Sequence, residues 1–112
     1  MTCYAVGHLR NIAMGPDIVA YLERIDATLA PFRGQFIIHG GEKHMLEGQF
    51  RGDLIVIAFP DREHAEGWYA SRDYKALLSL RTEHSEGEVF LIQGVDASHK
   101  AVDVLGAGAD RA

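Results

Sequence analysis

A chain of 112 residues, 47% hydrophobic and 24% charged, has room for one ordinary core and the profile of a globular domain. Its net charge of −5 supplies no basic stripe for a phosphate backbone, which argues against nucleic acid as a partner. The longest fully apolar run, Leu54 to Pro60, is too short to span a bilayer, and Met1 to Val6 lack the basic-then-apolar pattern of a secretory signal. Cys3, the single cysteine, can form no internal disulfide, so the expected setting is a reducing cytoplasm without membrane contact.

In chain order, Cys3 to Arg10 carries β-formers interrupted only by Gly7 and predicts a first strand, followed by a loop at Asn11 to Gly15. Pro16 suits a first helical turn, where its missing N–H costs nothing, and Asp17 adds favourable charge at that helix end. Ile18, Tyr21, Leu22, Ile25, Leu29 and Phe32 then recur at three- and four-residue steps, one apolar stripe on a helix that Pro31 and Gly34 should close. Gln35 to His39 predicts strand two, Gly40-Gly41 breaks it, and Glu42 to Gly52 reads as a ragged excursion. Leu54 to Phe59 is strand three. Asp61 and Ser71 stand where helix N-caps belong, ahead of Ala65-Trp68-Tyr69 and of Tyr74-Leu77-Leu78-Arg81 respectively. Gly87 should end this broken helix, and Glu88 to Gln93 is strand four. The order β-α-β-β-α-β is the ferredoxin-like split pattern, an α+β fold with a four-stranded antiparallel sheet and helices on one face. Residues 1–95 would form this domain. Residues 96–112, rich in Gly, Ala and Asp, would be a mobile or partner-contacting extension.

Alternate side chains of a strand face opposite sides of the sheet. Strands two, three and four are apolar on both sides, yet two helices cover only one. With Ile37, Ile55, Ile57, Phe59, Phe90 and Ile92 as the uncovered set, exposure would cost on the order of 9–18 kcal/mol as an upper bound. That rivals the ~5–15 kcal/mol by which a domain is stable. The expected remedy is a homodimer packed through the sheet face.

Several segments carry a family likeness: Tyr4 through Arg10, Thr28-Leu-Ala-Pro-Phe-Arg-Gly, Gly40-Gly41, Leu46-Glu-Gly, and Phe59 through Arg81 with its Trp68, Tyr69, Ser71, Tyr74 and Arg81 spacing. Together they resemble the bacterial family catalogued as domain of unknown function 1330. The resemblance implies a dimeric α+β barrel over residues 3 to 95, and no activity, since none is known for the family. The wider barrel superfamily includes cofactor-independent monooxygenases, muconolactone isomerase-like enzymes, haem-degrading enzymes and plain ligand binders, an analogy of fold alone.

Arg81 falls seven positions after Tyr74, so a guanidinium lies on an apolar helix face and needs either a carboxylate or an anionic ligand. Arg10 and His8 share a strand face with Tyr4 and Val6. Imidazole titrates near neutrality, which makes His8 and His39 candidate proton carriers. Trp68, Tyr69 and Tyr74 form an aromatic cluster able to wall a planar ligand or to pack a helix on the sheet. His39, Glu42 and His44 match no established metal spacing, so neither a metal nor any other cofactor is expected. His64, His84 and His99 belong to charged surface stretches, and Cys3 to the core. Two readings follow: a cofactor-independent enzyme of monooxygenase or isomerase type acting on a small anionic or aromatic molecule, with Arg81 holding it, or a ligand-binding or structural domain without turnover. The first requires a histidine, Arg81 and the aromatic wall to converge on one open site.

Overall fold

The computed structural model describes residues 1–106. Its elements are β1 (Cys3–Arg10), α1 (Pro16–Leu29) with a 3₁₀ turn at Ala30–Phe32, β2 (Gln35–His39), β3 (Asp53–Phe59), α2 (Arg62–Ala70), α3 (Arg72–Thr82) and β4 (Glu86–Gln93). The sheet has the order β2-β3-β1-β4 with every neighbouring pair antiparallel, so β1 is an inner strand hydrogen-bonded on both edges. The ferredoxin-like expectation holds.

Local chemistry explains the boundaries. Pro16 starts α1. Arg33, in the left-handed region at φ 59°, turns the chain out of the 3₁₀ turn, a role the sequence reading had given to Gly34. The Asp61 carboxylate accepts from the His64 backbone N–H at 2.9 Å, and the Ser71 hydroxyl accepts from the Tyr74 N–H at 3.2 Å, so both N-caps stand where expected. The Ser71 hydroxyl also donates to the Trp68 carbonyl at 2.7 Å, and one residue thus ends α2 and begins α3. Gly87 ends no helix: it lies inside β4 opposite Leu9, at φ 145°, where a Cβ would collide with the His8 carbonyl.

The helices and Cys3, Ala5, Ile57 and Phe59 close on one core with Ile25, Leu29, Trp68, Tyr74 and Leu77. This corrects the assignment of sheet faces. Ile55, Ile57 and Phe59 look toward the helices, joined by Phe36 and Leu91. The register pairs Tyr4 with Ala58 and Ile92, and Val6 with Val56 and Phe90, and these side chains form the opposite, helix-free face. Phe90 and Ile92 are on the bare face as anticipated, 47% and 53% exposed. Ile37 sits at a register shift between β2 and β3, which uncouples its direction from simple alternation.

Beyond β4, residues 95–106 bond mainly to one another, and 103–106 make one helical turn in which Val104 and Leu105 are exposed, as is Val102 just before it. The expectation for the extension falls partly on residues 107–112, outside the described residues. No helix of the described chain is long and apolar enough to cross a membrane.

Candidate functional site

A cavity of about 280 Å³ lies between the sheet and helices α1 and α3. Its origin is legible in β1. The helix-facing side chains of this inner strand are Cys3, Ala5, Gly7 and Leu9, so two consecutive inward positions carry almost no side chain. A Cβ built on Gly7 would meet only Ile55 Cβ and Val89 Cγ2, each at 3.9 Å, an ordinary contact distance. The space above Gly7 is therefore unfilled.

Contacts between the elements order the lining along the cavity. Trp68 packs on Phe59, ring centroids 5.5 Å apart, at the deep end. Tyr74 follows at 4.2 Å from Trp68, and its hydroxyl shares a 2.8 Å hydrogen bond with that of Tyr21. Arg81 comes next, its guanidinium carbon 5.9 Å from the Tyr21 ring centre. The far end is marked by the Ala13 N–H donating to the His84 carbonyl at 2.7 Å and by a His84–Asp17 contact of 2.9 Å, which fix the 11–15 loop at the rim. On the sheet side the levels run from Ala5–Ile57 through Gly7–Ile55 to Leu9–Asp53, with His39 opposite Ile55. The deep half is aromatic and aliphatic; the outer half holds Arg81, His39 and Asp53.

The electrostatics centre on Arg81, which is 9% exposed. Among the described residues its side chain makes no ion pair, and the polar groups it reaches are the Tyr74 and Tyr21 hydroxyls. Arg81 lines the cavity beside that hydroxyl pair. Burial opposes its charge, and the neighbouring Tyr74 and Tyr21 oxygens outweigh this, leaving its pKa raised. Burial, followed by the nearby Tyr74 hydroxyl, pushes the Tyr21 pKa far above its ordinary value, so Tyr21 remains a neutral O–H. Trp68 is held by its indole N–H donating to Thr28 Oγ1 at 3.0 Å. The His39 ring stacks on Phe36 at 4.6 Å with planes 13° apart.

The candidates named from sequence fall in three places. His39, Arg81, Tyr74 and Trp68 share the cavity. Tyr69 lies behind it, its ring against Trp68 and Tyr74 and under the Lys75 ammonium. His8 and Arg10 occupy the opposite face of the sheet, because even-numbered β1 residues point away from the helices. There Arg10 makes a two-pronged bond to Glu88 at 2.8 and 3.0 Å and reaches His8 Nδ1 at 3.3 Å. The His8 Nε2–H donates to the Arg51 carbonyl, and its ring lies against Phe50 with centroids 4.5 Å apart and planes tilted by 32°. Sequence reasoning missed Tyr21, Asp53 and Gly7. The first was absorbed into the helix stripe, the second stood at a strand end, and the third counted only as a strand breaker. No group of three metal-capable side chains occurs among the described residues.

The chain matches the family described as Domain of unknown function (DUF1330) over residues 2–95. It belongs to the DUF1330 family. Among solved structures, this DUF1330 chain is similar to methylated RPA0582 protein, with a TM-score of 0.66 at 13% identity over 88% of this chain and 84% of that one. A second structure of RPA0582 names its source as Rhodopseudomonas palustris. A dimeric ferredoxin-like protein of unknown function from Jannaschia sp. gives a TM-score of 0.62 at 12% identity, covering 84% of this chain and all of the other (100%). The cofactor-independent oxygenase SnoaB from Streptomyces nogalater gives 0.57 at 11% identity, covering 88% and 98%. At such identities the likeness is one of fold. A search of curated proteins found no match.

Proposed function

We propose that this DUF1330 protein is a homodimer whose subunits each bind a small apolar or aromatic anion in the cavity between sheet and helices, and that it transforms that molecule without a cofactor. One observation carries the reading: a nearly buried guanidinium that pairs with no carboxylate among the described residues lines a largely apolar cavity. A buried charge is expensive unless paired, and the ligand would supply the pairing. His39 at the outer half is the proton carrier. Removing a proton from an acidic C–H or O–H of the ligand would leave an enolate or phenolate, whose charge Arg81 and the neutral Tyr21–Tyr74 hydroxyl pair stabilise. Returning the proton to a different carbon is isomerisation. Attack of the carbanion on dissolved dioxygen is the oxygenase route, and the fold likeness to a cofactor-independent oxygenase is compatible with it.

Binding without turnover is favoured by a different observation. No group among the described residues hydrogen-bonds the His39 ring to fix its tautomer, as catalytic histidines usually require. The two readings separate on deuterium exchange at the acidic carbon of phenylpyruvate in D₂O, followed by NMR. Exchange accelerated by the protein and lost in His39→Gln with binding retained supports catalysis; retained binding with no acceleration leaves a binding protein. Affinity for naphthalene-2-carboxylate that exceeds that for the neutral carboxamide, and no longer does so in Arg81→Met, is the test of the anion site itself.

The homodimer rests on the helix-free face, where Tyr4, Val6, Val56, Phe90 and Ile92 lie together, and on the dimeric ferredoxin-like description of a fold relative. Sedimentation should give twice the 12.4 kDa chain mass, and Phe90→Glu should halve it. A wild-type monomer at micromolar concentration refutes this part.

A further inference from the structure

We infer that the cavity takes a ligand of one or two fused rings ring-first, with its negative charge confined to the end that trails at Arg81. This rests on the anion-site reading above and narrows it to a ligand class and an orientation. Three observations converge.

The first is size. At about 280 Å³ the cavity sits near the lower limit of ligand pockets, which are commonly ~300–1,000 Å³. A bicyclic acid fits and an extended polycycle does not.

The second is the distribution of polar groups along the cavity. The deep end is bounded by Trp68, Ile25, Ile57 and Ala5, all 5% exposed or less, and its one polar atom, the indole N–H, is already spent on Thr28. A carboxylate placed there would be desolvated without a donor. Arg81 stands one level further out, beyond the Tyr21–Tyr74 pair, and is the sole cation among the lining residues unless His39 is protonated.

The third is the shape of the walls. The rings of Trp68 and Tyr74, 4.2 Å apart and inclined by 42°, line one side, and the side-chain-free Gly7 leaves room opposite them, which suits an aromatic body that can meet one ring by its face and the other by its edge. The single cation and the Asp53 carboxylate at the rim also exclude polyanions such as nucleoside phosphates.

Two isomeric probes of equal charge test the orientation. Naphthalene-2,3-dicarboxylate carries both charges at one end, and naphthalene-2,6-dicarboxylate carries one at each. Titration calorimetry on the full chain should find the 2,6 isomer at least tenfold weaker than naphthalene-2-carboxylate, and the 2,3 isomer tighter than the 2,6. Naphthalene-2-carboxylate should also shift the indole N–H resonance of Trp68, the one tryptophan, through the ring current of its leading edge. Equal affinities for the two isomers, or an unmoved indole resonance on binding, overturn the ring-first orientation while leaving the anion site standing. Naphthalene-2-carboxylate binding no tighter than its carboxamide overturns the anion site and the orientation together.

Discussion

Filling the space above Gly7 should make the protein more stable and less able to bind. A glycine inside a strand costs roughly 0.5–1 kcal/mol relative to alanine, through the entropy it surrenders on folding. The new methyl of Gly7→Ala would enter apolar surroundings, worth about 0.8 kcal/mol. Because the Cβ would stand 3.9 Å from both Ile55 and Val89, no strain offsets these gains. The variant should therefore gain about 1–2 kcal/mol, at roughly 4–8 °C in Tm for each kcal/mol in a domain near this size. Gly7→Val adds two further carbons and β-branching, which strands favour, and should gain at least as much. It should also weaken naphthalene-2-carboxylate by at least tenfold. The assay is thermal unfolding of both variants with and without the ligand, since binding to the folded state alone raises Tm. A Gly7→Val protein less stable than wild type, or one still raised in Tm by the ligand as much as wild type, refutes the argument that Gly7 makes the cavity.

Four further outcomes follow from named contacts. Ser71→Ala should cost about 1 kcal/mol, read from urea denaturation, because the hydroxyl caps α3 while bonding the end of α2. Thr28→Val leaves the buried Trp68 indole N–H without its acceptor and should cost about 1–3 kcal/mol in the same assay. Arg81→Met should fold with unchanged or greater stability, since it removes a nearly buried charge that has no carboxylate partner among the described residues; a large loss would show that the charge is structurally paired after all. Acid unfolding should involve Asp61, lowered by its side-chain and backbone bonds to His64, and Glu88, lowered by its Arg10 bond. A carboxyl whose folded pKa lies below its unfolded value contributes stability that is present above the unfolded value, near 4, and lost as pH falls through the folded one. Asp61→Asn and Glu88→Gln should therefore narrow the difference in stability between pH 7 and pH 3.

The strands and helices were readable because each depends on neighbours in sequence: the Ile18-to-Leu29 stripe, the Asp61 and Ser71 caps, the Gly40-Gly41 break. The two faces of the sheet were not. Whether Ile57 or Val56 meets the helices depends on the pairing of β1 with β3 and β4, contacts between residues as far apart in sequence as Cys3 and Gln93, which local periodicity does not encode. The same limit governed the site. Arg81 stood out because a cation interrupts an apolar helix face, and His39 because it ends a strand beside two glycines. His8 looked equivalent to His39 until the register placed them on opposite sides. The cavity itself arises from what β1 lacks, and an absent side chain in a strand reads first as a weakness of the strand.

β1 separates the two proposed surfaces by the thickness of one backbone. Ala5, Gly7 and Leu9 look into the cavity, while Val6, His8 and Arg10, bonded to them in alternation, look toward the bare face. A ligand that moves Gly7 moves Val6 and His8 with it. Occupancy and association are then linked quantities, and linkage is reciprocal: whatever factor a bound ligand applies to the dimer's affinity for itself, dimerisation applies to the ligand's affinity. In such an arrangement, protein concentration becomes a variable of the binding curve.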